Sequence, residues 1–191
     1  MKINKLLLGG LFICSSAFGA TKASQISFLP GIQFGATKED SISSLSFNIL
    51  GAENKNFSGF DLSLIGYRKI TGDFSGVHFG IFPDILKVNG DTNGLILSTW
   101  NDVDGTTYGA AIGAVNTIDK NADFNLGFIN YVKGEVGAQI GFFNYSESVN
   151  FFQLGLINAT ENINGVQIGL VNYSADGIVP VLPLVNFKYS F

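Results

Sequence analysis

Few residues in this chain of 191 amino acids have side chains that could perform chemistry. His78 is the only histidine, and in the repeat pattern described below it occupies a polar position next to the one that holds Asp61. A Ser-His-Asp arrangement would have to use His78, and no serine lies in the G-x-S-x-G turn that exposes a nucleophile. A His–Asp pair facing a lumen is one interpretation, and an inward-facing polar residue without chemistry is the other. The sequence therefore predicts no catalytic residue and no enzyme.

Candidate metal ligands are equally sparse. Asp91, Asp102 and Asp104 form a mildly acidic loop that could bind Ca²⁺, but their spacing fits no EF-hand. A metal site on His78 would need partners, and the single cysteine, Cys14, lies in a segment that we expect to be removed. The regularly spaced glycines precede neither a helix nor a Lys-Ser/Thr pair, so they form no phosphate loop. We expect no metal site and no bound cofactor.

The composition excludes several classes of protein. Hydrophobic residues make up 46% of the chain, too many for a disordered segment, and one Cys cannot form a disulfide framework. The net charge at pH 7 is -4, with only 11 Lys and Arg. Since nucleic-acid binding needs a clustered basic surface, we expect no nucleic-acid partner.

Residues 1–20 are typical of a secretory signal peptide. A short basic start precedes the apolar run 6–13, and small residues allow cleavage after Gly19 or Ala20. The run is too short to span a membrane. Cys14 raises the alternative of a lipoprotein, although the residues before it are bulkier than a lipobox requires. We therefore expect an exported chain.

The remaining part, residues 21–191, is predicted to be a single domain built from ten copies of one motif. The clearest copies are GAAIGAVNT (109–117), DFNLGFINY (123–131), GAQIGFFNY (137–145), FFQLGLINA (151–159) and GVQIGLVNY (165–173). More divergent copies are LSFNILG (45–51), FDLSLIG (60–66), VHFGIFP (77–83) and LILSTWN (95–101), and the closing VLPLVNF (181–187) is the tenth. An asparagine recurs at a step of 14, at positions 116, 130, 144, 158, 172 and 186.

Within each copy the residues alternate with period two, which is typical of β-strands. One face is apolar, as in Phe124, Leu126 and Phe128, and the other begins with a polar residue and continues with glycine, as in Gln139 and Gly141. The third position on the polar face is apolar again, in Ile129, Phe143, Ile157 and Val171. A 14-residue step cannot hold a helix with two turns, and glycine would weaken one. The sequence predicts an all-β protein.

Our main prediction for the architecture is a single antiparallel up-and-down β-barrel of the outer-membrane type, with about 10–12 short strands. Each unit would supply one strand of about nine residues and a short turn, close to the length that crosses a bilayer. The apolar face would meet lipid and the Gln/Gly face would fill a narrow lumen. Four tyrosines would alternate between the two rims and form aromatic girdles, at Tyr67, Tyr131, Tyr145 and Tyr173.

The C-terminus favours the same prediction. Apolar and aromatic residues alternate with polar ones up to the last residue, at Val185, Phe187, Tyr189 and Phe191. This pattern resembles the C-terminal strand of bacterial outer-membrane barrels, which the barrel-assembly machinery reads. Outer-membrane lipid and that machinery would then be partners. The aromatic face of this strand is the one that holds Gln and Gly in earlier copies, and a bulge near Pro180 or Pro183 could switch it.

The alternative is a β-solenoid of 14-residue coils. Identical units at a constant step indicate translation, whereas a meander would repeat more naturally every two strands. The column of asparagines would form an internal amide ladder between stacked strands. Against this alternative, a coil of 14 residues is small, and several copies place tyrosine and charge where a tight corner would lie.

Several copies also carry a family resemblance. GVQIGLVNY, GAQIGFFNY, FFQLGLINA and the closing VLPLVNF (181–187) resemble the bacterial surface-repeat family known as leptospiral-type surface-exposed lipoprotein repeats, and so does the opening ISFLPGIQFG (26–35). The resemblance implies export and a place on the cell envelope, with no established activity and no site residues to transfer. The poor lipobox at Cys14 departs from the lipoprotein members.

These observations lead to two alternative functions. The first is a non-enzymatic outer-membrane or cell-surface barrel with a structural, anchoring or narrow-pore role. The second is a soluble, surface-exposed β-solenoid that binds or adheres to a partner through its repetitive face. A secreted hydrolase has no constellation of residues to support it. In either case we expect an exported protein at the bacterial outer membrane or cell surface.

Overall fold

The computed structural model describes residues 19–177 and 179–188. Most of the predicted signal peptide, with Cys14, lies outside the described residues, and so do Tyr189 and Phe191. The strands are β1 (Thr21–Leu29), β2 (Ile32–Phe34), β3 (Ser41–Asn48), β4 (Gly51–Asn54), β5 (Phe57–Ser63), β6 (Gly66–Ile70), β7 (Phe74–Gly80), β8 (Asp84–Val88), β9 (Thr92–Leu97), β10 (Trp100–Val103), β11 (Thr107–Ile112), β12 (Val115–Ile118), β13 (Ala122–Leu126), β14 (Ile129–Ile140), β15 (Phe143–Leu154), β16 (Ile157–Ile163), β17 (Val166–Ser174) and β18 (Val181–Phe187).

These strands form a β-solenoid of about nine turns. Strands one turn apart pair in parallel, as β5 pairs with β7 and β12 with β14. The all-β prediction is confirmed, and the antiparallel up-and-down barrel is wrong. The alternative prediction, a solenoid of 14-residue coils, describes the C-terminal half, where Asn116 pairs with Asn130 and Asn130 with Asn144.

The barrel prediction is wrong because each motif contains two short strands and a bend instead of one strand. In the copy 137–145, Gln139 is buried, Phe142 and Phe143 are both exposed, and Asn144 is buried again. Two consecutive outward residues interrupt the alternation, so β14 ends at Ile140 and β15 begins at Phe143. The chain turns there, returns after the second strand and stacks on the preceding coil.

The two strands of each coil build two parallel ladders. Ladder A contains β1, β3, β5, β7, β9, β11 and β13, and continues in the second halves of β14 and β15 and the start of β17. Ladder B contains β4, β6, β8, β10 and β12, and continues in the first halves of β14, β15 and β16 and the end of β17. Tyr131 and Tyr145 are neighbours in ladder B, with ring centroids 5.0 Å apart. The predicted girdles on two opposite rims are therefore wrong.

Antiparallel strands close both ends of the stack. At the N-terminal end β2 pairs with β1, and at the C-terminal end β18 pairs with β17. Asn186 consequently faces Gln167 and does not continue the asparagine column. The register shifts between Gly169 and Asn172 of β17, opposite the stretch that contains Pro183. The irregularity predicted near the last strand is therefore present, and it lies within an antiparallel end strand.

The interior is apolar on one side and polar on the other. Branched and aromatic side chains fill the space next to the bends that lead from ladder B back to ladder A, and they include Ile42, Phe57, Ile70, Phe74, Val103, Ile118, Val132, Val136, Val149 and Ile163. Polar side chains fill the space next to the bends that lead from ladder A to ladder B. Large apolar side chains cover much of the outer surface.

Candidate functional site

The asparagine column forms a continuous hydrogen-bonded ladder inside the solenoid. Each Nδ2 donates to the Oδ1 of the next asparagine, from Asn101 to Asn116 (2.8 Å), Asn116 to Asn130 (2.7 Å), Asn130 to Asn144 (2.8 Å), Asn144 to Asn158 (2.8 Å) and Asn158 to Asn172 (2.8 Å). Each Nδ2 also donates to a backbone carbonyl of the next coil, as Asn130 does to Ile140 at 2.9 Å. The predicted amide ladder is confirmed for these residues.

The glycines at the bends leave room for this ladder. A Cβ on Gly141 would lie 2.3 Å from the carbonyl oxygen of Gly127 and 2.7 Å from Nδ2 of Asn130. Contacts this close exclude a side chain, because coil backbones and amides already fill the space. The motif thus needs a glycine at this position, because a side chain there would collide with the asparagines of the ladder.

A second amide ladder lies in ladder A. Nε2 of Gln153 donates to Oε1 of Gln139 at 2.7 Å, and Nε2 of Gln167 donates to Oε1 of Gln153 at 2.8 Å. Asn186 continues it with a 3.2 Å bond to Gln167. Asn125 lies next to Gln139 in the same column, yet neither of its side-chain atoms has a partner in the described part of the chain. Its side chain is one methylene shorter than glutamine, so the ladder stops at Gln139.

In the N-terminal coils a buried charge cluster joins the amides, since Asn48 donates to Asp61 and Arg68 donates to Asn54. His78 lies between two aspartates, with Nδ1 2.8 Å from Oδ2 of Asp61 and Nε2 2.8 Å from Oδ2 of Asp84. Nε of Arg68 donates to the same Asp61 oxygen at 3.0 Å. All four side chains are fully buried. The His–Asp pair considered from the sequence exists, but it is enclosed between coils where no substrate can reach it.

The electrostatics of this cluster favour a charged imidazole. Burial disfavours the imidazolium, but the hydrogen bonds and charges of Asp61 and Asp84 outweigh it and raise the pKa of His78 above its usual value. Burial likewise opposes ionisation of Asp61, but the Arg68 guanidinium and the bond from His78 hold the pKa of that carboxyl well below its usual range. The guanidinium and the imidazole thus both lie within hydrogen-bond distance of carboxyl oxygens, which a buried cation needs because the interior does not solvate it.

The acidic loop considered as a calcium site is engaged in ion pairs. Nζ of Lys87 lies 3.0 Å from Oδ2 of Asp102 and also contacts Oδ1 of Asp104. Oδ1 of Asp91 accepts a hydrogen bond from the backbone N–H of Thr106 at 2.8 Å. Across residues 19–177 and 179–188, no three His, Cys, Asp or Glu side chains are grouped to hold a metal ion.

The surface feature that could bind a partner is an apolar groove of about 680 Å³ beside the bends from ladder A to ladder B. It crosses four consecutive coils and has a glycine floor. It is lined by Ile112, Gly113, Ala114, Leu126, Gly127, Phe128, Ile140, Gly141, Phe142, Leu154, Gly155 and Leu156. We call this edge of the solenoid, from Phe128 through Phe142 and Leu156 to Leu170, the apolar corner.

Sequence reasoning missed this groove, although the signal was present. Pairs of consecutive apolar residues follow the glycine of each copy, and these pairs are 128–129, 142–143, 156–157 and 170–171. In a strand such a pair breaks the alternation, and here it marks a corner with both side chains outside. The prediction of one strand for each copy treats this pair as an exception and therefore misses the bend.

Comparison of the chain with protein-family models, with curated proteins and with solved structures gives no match. The resemblance to surface-exposed repeats therefore stays a prediction from the motifs. In the part of the chain that the structure describes, no helix is long and apolar enough to cross a membrane.

Proposed function

We propose that this protein is an exported, non-enzymatic β-solenoid that acts at the cell surface as a binding module, with the groove at the apolar corner as its binding surface. The observation that carries the proposal is the inverted polarity of the coil. Beside the bends from ladder A to ladder B, Gln139 and Asn144 face inward, and each is hydrogen-bonded to the equivalent amide of the next coil. Phe128, Phe142 and Leu154 face outward there. Apolar groups exposed in a continuous groove are typical of interaction sites.

A role in binding also agrees with the distribution of chemical groups. His78 is the only histidine, and it lies fully buried beside Asp61 and Asp84. The twelve residues that line the groove are glycine or apolar, so the groove offers shape and apolar contact instead of acid, base or nucleophile. Such a surface suits an apolar ligand or partner.

The proposal is tested with Nile red, an uncharged apolar dye whose emission reports burial. We expect saturable binding to the native chain. Leu126→Asp and Leu154→Asp each place a carboxylate on an exposed groove position, and we expect them to weaken dye binding roughly tenfold or more, because an apolar ligand would desolvate the charge. Ser75→Asp adds the same charge at an exposed position of β7 outside the groove and should leave binding unchanged. Equal binding by all four proteins would refute the groove as the site.

Export is tested separately. The basic start, the apolar run 6–13 and the small residues up to Ala20 support it. We expect protease added to intact cells to digest the protein while a cytoplasmic marker survives. Retention of the protein with the cytoplasmic marker would contradict export without affecting the binding result.

A further inference from the structure

We propose that the partner of the apolar corner is the acyl layer of a lipid bilayer, into which the solenoid inserts this edge side-on. The inference rests on the proposed function, because it names the partner of the same surface. Three properties of the coils support it: a continuous apolar edge, a graded change from apolar to charged residues away from that edge, and tyrosines at the transition.

The apolar edge is repeated from coil to coil. Phe128 is 61% exposed, Phe142 47%, Leu156 43% and Leu170 62%. Since stacked strands lie about 4.8 Å apart, these side chains form one unbroken row along the solenoid axis. A second row beside them on ladder B is also apolar and exposed, and it consists of Ile129, Phe143, Ile157 and Val171.

Polarity rises steadily with distance from this edge. On the outer side of ladder B, Phe143 is followed by Tyr145 and then by Glu147. The preceding coil has the same order, with Ile129, Tyr131 and Lys133. At about 3.3 Å per residue, the tyrosine lies about 10 Å and the charge about 16 Å from the bend at Phe142.

This order matches the layers of a membrane surface. Interfacial segments bury their apolar side about 5–10 Å into the headgroup and acyl boundary, and tyrosine is enriched at that boundary. Tyr131 is 39% exposed and Tyr145 is partly exposed. Their rings stack on each other in one row. Charged groups then remain in water, as the exposed pair of Lys133 and Asp119 does.

Ladder A changes in the same direction. Leu126 and Phe124 face outward near the corner, and the exposed Asp123 follows at the far end of the same strand. In this coil both faces thus turn from apolar to charged away from one edge. A layered partner, with hydrocarbon below and polar headgroups above, matches the polarity of both faces of this coil at once.

The fluorescence of Trp100 can report this contact with the bilayer. Trp100 is the single tryptophan, is 42% exposed and begins β10, in register with Val115 and through it with Ile129 of the second apolar row. On addition of uncharged vesicles of phosphatidylcholine and phosphatidylethanolamine to the full chain, we expect a blue shift of its emission. We also expect quenching by lipids brominated on the acyl chain, and little change between low and high salt.

Matched variants locate the contact. The triple substitution Phe128→Asn, Phe142→Asn and Leu170→Asn removes exposed apolar side chains of the edge, and we expect vesicle partitioning to fall roughly tenfold or more. Phe151→Asn is the control, because Phe151 is 68% exposed but lies at the end of the ladder A segment of β15 that is away from the edge. Residues 1–20 are unchanged in all these proteins, so a difference between them reports the edge. Far-ultraviolet circular dichroism verifies that both variants fold.

Two results would overturn the inference. If Nile red binds and responds to the groove variants but vesicles neither shift nor quench Trp100, the groove binds apolar ligands and the membrane is not its partner. If sedimentation shows a dimer that the triple substitution dissociates, a second copy of the chain covers the edge. Loss of Nile red binding itself would instead refute the proposed function, so the two failures remain distinct.

Discussion

Nδ2 of Asn130 donates a hydrogen bond to Oδ1 of Asn144, 2.8 Å away in the next coil. The same nitrogen donates to the carbonyl of Ile140 at 2.9 Å, so both of its hydrogens are used. One side chain therefore ties two coils together and also satisfies a carbonyl at the bend. Because the bond recurs from coil to coil, removing one asparagine affects three coils.

Asn144→Ala tests the ladder in its middle. The substitution leaves Oδ1 of Asn158 without its donor and one hydrogen of Nδ2 of Asn130 without its acceptor, both in the interior. Each buried polar group left unpaired costs about 1–3 kcal/mol, so we expect the free energy of unfolding to fall by about 3 kcal/mol. Urea denaturation followed by circular dichroism measures it. Asn93→Ala, at an exposed position of β9, should change it by less than about 0.5 kcal/mol.

Gly141→Ala tests the space that the ladder needs. The added Cβ would lie 2.3 Å from the backbone oxygen of Gly127 and 3.0 Å from Oδ1 of Asn144, so the coils must separate or the amides must move. We expect a loss of about 2–4 kcal/mol in the free energy of unfolding, in the range of overpacked cores and broken hydrogen bonds.

Gly177→Ala is the control for this substitution, because the nearest atoms to its Cβ lie at 3.3 Å. We expect a much smaller loss there. Equal losses at the two glycines would mean that backbone freedom, and not room for the amides, explains the glycine of the motif.

The repeat step, the all-β content and the inward side of the first half of the motif could all be predicted from the sequence, because each depends on local alternation and on spacing. Gln139 faces inward and Phe128 outward, as the alternation predicts. Asn144 shares the predicted face of Phe142 and yet is buried, because the chain bends before it. The direction in which neighbouring strands run could not be predicted in this way. It depends on whether the chain bends at Gly141 and Phe142, and a bend of one residue changes an antiparallel meander into a parallel stack.

The charge cluster was only partly predictable. Asp61 and His78 occupy the same polar column, so their pairing could be considered from the repeat. Arg68 and Asp84 lie in ladder B, and the upstream coils differ in length, which hides their alignment from a fixed 14-residue step. The contact between Arg68 and Asp61 becomes visible only when both ladders are in place.

Asn125→Gln should extend the glutamine ladder by one rung. Both side-chain atoms of Asn125 lack partners among the described residues, while Gln139 and Gln153 next to it are bonded in series. A longer amide at position 125 brings its oxygen within reach of Nε2 of Gln139. We expect the free energy of unfolding to rise by about 0.5–1.5 kcal/mol, the net value of a buried hydrogen bond. The reciprocal change Gln139→Asn shortens the ladder and should lower stability, and a rise there would contradict the explanation.

The pH dependence of stability should reflect the cluster around His78. The pKa of His78 is raised in the folded state by its bonds to Asp61 and Asp84, after burial has opposed it. The contribution of His78 to the free energy of unfolding is therefore fully present below about pH 6.5, the usual imidazole value. It is lost as the pH rises through the pKa of the folded state. The pKa of Asp61 is lowered, so its contribution is present above about pH 3.9 and is lost as the pH falls toward the folded value.

Both contributions are complete only between about pH 4 and pH 6.5, and we expect the free energy of unfolding to be highest in that window. Because the chain has one histidine, a single imidazole resonance reports its protonation directly by nuclear magnetic resonance. We expect that resonance to titrate above about pH 6.5, the usual imidazole value, together with a decline in stability on the alkaline side. Titration at or below pH 6.5 would show that His78 is neutral in the fold. One of its two 2.8 Å contacts to carboxylates would then have to be made by a protonated aspartate.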